Sequence, residues 1–453
     1  MNRTYHIWTI GCQMNEADTR HLAAQLEDLG YKPEMKAHLA NVIVLNTCVI
    51  RQQAEDKALD QLRQLKGLKR SNPDLTVTVM GCIVGRKLEE SLRAQFPFVD
   101  VFMGPSETKP LIDYLNGTGN PSCGRGIPLS ERGKTVTACV PVVLGCSHAC
   151  TYCVIPSRRG GERSRPKDDI LQEVRELADE GVKDITLLGQ IVDRYGLDFD
   201  NETDLSDLLV EVSGVDGIAR VRFLTSHPNW FTDKLLETMA SVDKLCPCIE
   251  LPVQAGNDEV LSRMRRGYTA DEYRKLIGKI RSRIPDVAIN TDVIVGFPGE
   301  TEAQFADTHR LMTDLQFDMA HIARYSERPG TPAARNLKDD VPEDEKEQRR
   351  VALEQLLNDT LEKKHSSLVG QALDVLIEER AGKKWKGRTP QNKIVLIEDE
   401  RDLQGQLVQA VITRSGAFSQ FGEARPCGVP EIVMQSRSSL ARIESAVATH
   451  KKG

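Results

Sequence analysis

The chain has 453 residues, enough at ~150 residues per domain for about three domains and well above the size needed to bury a core. Hydrophobic residues make up 40% and charged residues 28%, which excludes a disordered or low-complexity polymer. The 60 Lys and Arg against 66 Asp and Glu leave a net charge of −6, which excludes a histone-like surface but not a local basic patch.

Met1-Asn2-Arg3-Thr4-Tyr5 leads straight into a strand-like run without the order of a signal peptide, and no apolar run nears the roughly 18 residues needed to span a bilayer. A soluble, cytoplasmic protein with no membrane contact is expected. From residue 1 to about 115, short apolar runs alternate with helix-like stretches: Tyr5–Ile10 then Glu16–Leu29, Val42–Leu45 then Ala54–Leu68, Leu75–Met80 then Lys87–Gln95. That order predicts a parallel sheet covered by helices. Residues 116–134, rich in Gly, Pro and Ser, read as a linker. From 135 to 365 the alternation resumes, with strands expected at Ala138–Leu144, Asp184–Leu188, Arg220–Thr225, Ile249–Val253, Ala288–Val295 and Met319–Tyr325. Six β–α units in a row predict a complete or partial α/β barrel. The charged stretch Glu343–Lys364 reads as a solvated connecting helix. From 366 to 434 the helices vanish, and Ala372–Ile377, Lys393–Ile397 and Leu407–Thr413 predict a small β-barrel, followed by a poorly ordered tail at 435–453.

Eleven cysteines, an odd number in a large chain without a secretion signal, point to metal or catalytic thiols rather than a disulfide framework. Cys146-Ser-His-Ala-Cys150-Thr-Tyr-Cys153 follows a strand, and three thiolates on one loop can hold three irons of a [4Fe–4S] cluster. The fourth iron is then open to bind a substrate or cofactor. Zinc, with His148 as fourth ligand, is the competing reading, although His148 lies awkwardly two residues after Cys146. Cys12, Cys48 and Cys82 each follow one of the first three strands, so a parallel sheet brings all three to the edge where such sheets bind ligands. They predict a second three-thiolate cluster. Cys123, Cys139, Cys246, Cys248 and Cys427 carry no such pattern and read as buried or incidental thiols.

Polar residues mark the barrel strands: Gln190, Ser226 with His227, Gln254, Asp292 within its strand, and Tyr325. Together they line the carboxyl-end face on which barrel enzymes build their sites. Arg158, Arg159, Arg163, Arg165 and Lys167 form a basic run after the cysteine loop, and Arg263, Arg265 and Arg266 form another. Lys383, Lys384, Lys386 and Arg388 flank Trp385 on the all-β segment, a pattern suited to RNA. Burial of Trp385 inside that barrel is the alternative.

At Cys146-x₃-Cys150-x₂-Cys153 the chain resembles the radical S-adenosylmethionine enzymes. Gly11-Cys-Gln-Met-Asn15, Asn46-Thr-Cys-Val-Ile-Arg51, Cys153-Val-Ile-Pro156, Arg159-Gly160, Ser164-Arg-Pro166, Leu187-Leu-Gly-Gln190, Thr225-Ser-His-Pro228, Leu251-Pro-Val-Gln254, Arg266-Gly-Tyr268, Gly296-Phe-Pro-Gly-Glu-Thr301 and Arg328-Pro-Gly-Thr-Pro332 narrow this to the methylthiotransferases. The resemblance implies an α/β fold of three parts: a parallel-sheet domain, a radical barrel, and a TRAM-like RNA-binding β-barrel. It implies that Cys12, Cys48 and Cys82 hold an auxiliary [4Fe–4S] cluster, and that Cys146, Cys150 and Cys153 hold the one that binds S-adenosylmethionine. Gln190, Ser226, Gln254, Asp292 and Tyr325 are candidate cofactor contacts. Lys383, Lys384, Trp385, Lys386 and Arg388 are candidate RNA contacts.

Gln-Met-Asn after the first cysteine resembles the branch that methylthiolates C2 of N6-isopentenyladenosine beside the tRNA anticodon. The relatives acting on N6-threonylcarbamoyladenosine or on a ribosomal-protein aspartate are alternatives. A non-catalytic iron–sulfur or zinc RNA-binding protein is the alternative of another class. The expected partners are tRNA and an electron donor such as a flavodoxin-type reductant, with the enzyme a monomer. Two positions depart from the family pattern: Val84-Gly85 after the third cysteine, and Ile191-Val192-Asp193 after Leu-Leu-Gly-Gln.

Overall fold

A computed structural model describes residues 3–49, 52–85, 89–116 and 126–425. Cys123, Cys427, most of the expected linker and the tail lie outside the described residues. No helix among the described residues is long and apolar enough to cross a membrane.

The N-terminal domain runs β1 (Thr4–Thr9), α1 (Gln13–Asp28), β2 (Lys32–Pro33), β3 (Val42–Thr47), α2 (Gln52–Ser71), β4 (Thr76–Gly81), α3 (Glu89–Gln95), β5 (Val101–Met103) and α4 (Lys109–Asn116). The strands form one parallel sheet in the order β2-β1-β3-β4-β5. Every residue of β3 is buried, as a central strand with helices on both faces requires. One face packs Ile43, Leu45, Val77 and Val79 under α2, and the other packs Val42, Val44 and Met80 under α1 and α4. Helix α1 starts three residues earlier than its periodicity predicts. Cys12 is its extended N-cap residue, and its carbonyl accepts the Asn15 and Glu16 amides. The pair β5–α4 was not legible in the sequence, because three residues are too few to show alternation.

The central domain contains β6 (Thr137–Pro141), β7 (Val143–Leu144), α5 (Ile155–Arg159), β8 (Arg163–Ser164), α6 (Lys167–Asp179), β9 (Asp184–Leu188), α7 (Leu205–Ser213), β10 (Arg220–Leu224), α8 (Asp233–Ser241), β11 (Cys248–Glu250), α9 (Asp258–Arg263), α10 (Ala270–Arg283), β12 (Ala288–Val295), α11 (Glu302–Leu315), β13 (Met319–Arg324), α12 (Pro332–Asn336) and α13 (Glu343–Ser366). Strands β6-β9-β10 and β11-β12-β13 are two parallel sheets joined by the Val221–Leu245 bridge, so the barrel is partial. Helix α1 lies along its β6 flank, where Met14 and Ala17 pack with Leu188, Cys139, Leu144 and Leu224.

Two expected strands are shorter than predicted, each for a reason at a proline. The run Ala138–Leu144 breaks after Pro141, and Val143–Leu144 turns to pair antiparallel with β8. The run Ile249–Val253 ends at Glu250, because Pro252 brings no N–H. There the Thr291 hydroxyl takes over, donating to the Leu251 carbonyl (3.0 Å) and accepting from the Val253 amide (3.0 Å). Helix α13 corrects the expectation of a solvated connector: Leu353, Leu357 and Leu361 are buried at a spacing of four. Lys346 and Arg349 are buried too, paired with Asp339 (2.7 Å) and Glu300 (2.7 Å).

The C-terminal barrel closes five strands in the order β14-β15-β16-β18-β17: β14 (Ala372–Ala381), β15 (Lys384–Arg388), β16 (Ile394–Glu398), β17 (Leu407–Ser415) and β18 (Gln420–Ala424). It docks at the amino-terminal end of the central barrel. Arg220 donates to the Arg388 carbonyl (2.5 Å), and Arg222 donates to the Pro390 and Thr389 carbonyls (2.7 and 3.0 Å) while pairing with Asp184 (3.0 Å).

Candidate cluster sites and their surroundings

Cys12, Cys48 and Cys82 stand where β1, β3 and β4 end, and the sheet register brings Thr47 beside Gly81. A side-chain lattice fixes the corner. Asn15 donates to Asn46 Oδ1 and to the Thr47 carbonyl (both 2.8 Å), and Asn46 donates back to the Asn15 carbonyl (2.8 Å). Gly81 sits at φ +99°, and a Cβ there would lie 2.4 Å from the Thr47 carbonyl oxygen, so only glycine lets the strands close. The Cys12 thiol is lowered to about 6, chiefly by its hydrogen bond with Cys48, with burial opposing and Asn15 and Arg159 adding to the pull. Burial pushes Cys82 the other way, against the Arg159 guanidinium, whose Nε donates to Cys82 Sγ (3.2 Å).

The loop Cys146–Cys153 is pinned at both ends and in the middle. The Cys146 amide donates to the Gly160 carbonyl (3.1 Å), the Thr151 amide to the Met264 carbonyl (3.1 Å), and the Thr151 hydroxyl to the Arg263 carbonyl (2.8 Å). Arg266 Nη1 donates to Cys150 Sγ (3.3 Å). Burial works against ionising Cys150, but His148 and Arg266 outweigh it and hold the thiol at about 7. Cys153 is pushed up to about 12 by burial and the neighbouring Cys150.

The two sites share one short element. Helix α5 leaves Cys153, seats Val154 in the core of the N-terminal domain with Val84, and ends in Arg159. Arg159 spans from Cys82 to the buried carboxylate of Asp18 (3.9 Å). Each site thus offers three thiols, one of them held by a buried guanidinium. That donor set fits a [4Fe–4S] cluster bound through three thiolates, because the cation offsets cluster charge and the sulfur accepts an N–H.

The strand-end residues divide. Ser226 and Gln254 are buried, while Gln190 and Asp292 are half-buried at the barrel mouth. Gln254 takes φ +72° and bridges by its backbone to Asp292 (2.9 Å). Burial and the charge of Asp292 raise Glu250 to about 7. Tyr325 packs edge-to-face on Phe297 (5.2 Å) under the Lys346 ammonium (5.6 Å). Asp193, one of the departures from the family pattern, accepts the His227 amide (3.0 Å) and is raised to about 7 by burial. His227 is held neutral, lowered to about 2 by burial and by Arg266, His148 and Arg194. Sequence reasoning did not find Glu250, nor the contacts of Arg159 and Arg266 with sulfur. The two arginines stand in basic runs that look solvated, and no local pattern marks a cation aimed at a residue 77 or 116 positions away.

On the C-terminal barrel the expected stacking face of Trp385 is corrected. Its ring is 4% exposed in the barrel core with Val375, Ile397 and Ala410, and its Nε1 donates to the Arg401 carbonyl (2.9 Å). Lys384, Lys386 and Arg388 are engaged with Glu398, Glu379 and Glu378 (3.0, 2.7 and 3.0 Å), and Lys383 is exposed.

Two family models match the chain: the Radical SAM superfamily over residues 140–312, and the Uncharacterized protein family UPF0004 over residues 4–104. A tRNA-2-methylthio-N(6)-dimethylallyladenosine synthase of Roseiflexus sp. (strain RS-1) is 42% identical over 449 residues, covering 98% of this chain and 92% of the relative. A protein of the same name from Chloroflexus aurantiacus is 44% identical over 424 residues, covering 93% and 91%. Among solved structures, the radical S-adenosylmethionine methyltransferase TsrM of Kitasatospora setae, with cobalamin and a [4Fe-4S] cluster bound, shares the fold at 14% identity. Its TM-score is 0.55, over 74% of this chain and 77% of that one.

Proposed function

This chain belongs to the radical S-adenosylmethionine methylthiotransferase family, among the tRNA-2-methylthio-N6-dimethylallyladenosine synthases, and from that premise we propose that it adds a methylthio group to C2 of N6-isopentenyladenosine next to the anticodon of tRNA. Cys12, Cys48 and Cys82 hold the auxiliary [4Fe–4S] cluster, and Cys146, Cys150 and Cys153 hold the one that binds S-adenosylmethionine. When bound, these groups supply homolytic removal of hydrogen from an unactivated carbon, together with the sulfur and methyl that replace it.

The observation that carries the reading is the joining of the two three-thiol sites by α5 and Arg159. Adding sulfur to an inert ring carbon needs two reactive centres held on one substrate, and a five-residue helix between them supplies that fixed geometry. Arg159 and Arg266 favour the ionised form of the thiols they touch, and Val154 packs with Val84 in the core of the N-terminal domain. Neutral His227 adds no cation near Arg266, while burial raises Asp193 and Glu250 to about 7. Electrons come from a flavodoxin-type reductant, and the enzyme works as a cytoplasmic monomer. The test is nucleoside mass spectrometry of tRNA from cells lacking the gene. Loss of the 2-methylthio derivative with accumulation of N6-isopentenyladenosine is expected, and an unchanged nucleoside profile would sink the assignment.

A further inference from the structure

Where the N-terminal and central domains meet, a cavity of about 410 Å³ is lined by Arg93, Arg158, Arg159, Arg163 and, among the described residues, a single carboxylate, Glu107. Arg159 is committed to Cys82 and Asp18, but Arg158 is not committed to anything. Its Nε is buried without a hydrogen-bond partner, and the nearby carboxylate of Glu55 pairs with Arg328 instead. Burial lowers its pKa, and the charges of Glu55 and Cys82 oppose that shift only in part. Arg163 stands exposed on β8 at the rim. A part-buried guanidinium with an unpartnered Nε, set among other arginines, favours an anion, and its planar fork matches a phosphate.

Position selects the anion. Leu144 and Gly145, which lead into the cysteine loop, line the same cavity, so its occupant lies beside that loop. The C-terminal barrel is docked at the opposite end of the central barrel, on Arg220 and Arg222, and its docked face cannot serve there. We propose that this cavity is a subsite for a backbone phosphate of the RNA substrate flanking the modified base, gripped by Arg158 and Arg163. This rests on the RNA-modifying reading above.

The test measures binding of an anticodon stem-loop RNA to the holoenzyme across a salt series, for the wild type, Arg163→Gln, and the double variant Arg158→Gln/Arg163→Gln. Iron content and melting temperature are recorded for each, and the exposed Arg163→Gln keeps the test valid should the double variant fold poorly. The double variant should bind about tenfold or more weakly. Its log–log salt slope should be shallower by roughly 0.7 per lost contact, with about half that change in Arg163→Gln. Unchanged affinity and slope in a folded variant, with the wild type binding RNA, overturn the subsite and leave the function standing. A wild type that binds no RNA overturns both. If inorganic phosphate raises the melting temperature of the wild type while the variants keep full RNA affinity, the cavity belongs to a free anion and the proposal fails.

Discussion

Glu173 shows what a single side chain does between domains. It is fully buried, yet it meets His21 (2.8 Å) and Arg20 (3.3 Å) of α1 and Arg165 (2.8 Å) of the central domain. Burial alone would raise its pKa; His21, Arg165 and Arg20 outweigh it and hold the carboxyl at about 2. A carboxyl depressed on folding contributes stability that is complete above its unfolded value, about 4.5, and is lost as pH falls toward 2. That contribution is of order 3 kcal/mol. Glu173→Gln should therefore lower the melting temperature at neutral pH and flatten the loss of stability between about pH 4.5 and 2, as thermal melts across pH would show. The cysteines are equally separable. Cys150→Ala should drop bound iron from about eight to about four and abolish 5′-deoxyadenosine formation. Cys48→Ala should lose a similar amount of iron, keep cofactor cleavage, and yield no methylthio product. Equal losses of both activities in both variants would contradict two independent sites.

At the scale of elements, the thiols were legible because each ends a strand, and strand order alone places them on one edge. Their partners were not. Arg159 and Arg266 act over long sequence distances, and Lys384–Arg388 hides a strand behind alternating charge, with only Trp385 and Gly387 facing in. That inward Trp385 replaces the expected RNA contact with a packing role. Trp385→Ala should destabilise the C-terminal barrel by about 3–5 kcal/mol and leave the salt slope of RNA binding unchanged. A stable variant with weakened RNA affinity would restore the stacking role. The turn before Cys146 carries a comparable constraint. Gly145 has φ +74°, and a Cβ would lie 2.3 Å from the Gly161 carbonyl oxygen. Gly145→Ala should therefore displace the cysteine loop and cost about four irons, while circular dichroism stays near wild type; full iron content would refute this.

At the scale of the whole molecule, the terminal barrel is not a detachable module. Removing it uncovers the buried Arg220 and Arg222 and strips both of carbonyl acceptors. Truncation after residue 366 should thus lower the melting temperature of the central domain as well as reduce RNA affinity; unchanged melting would mean the docking contributes nothing. A similar long reach governs the first cysteine site. Arg328, which follows the last strand of the central barrel, donates to the Val49 carbonyl beside Cys48 and pairs with Glu55 (3.0 Å), 273 residues upstream. A ribosome adding 5–20 residues per second needs roughly 15–55 s to cover that span. Through that interval the first cysteine site lacks Arg328, and for the first 104 residues of it Arg159 as well. The thiols made first therefore wait longest for their last packing contact, which arrives only when the final strand of the central barrel has been synthesised.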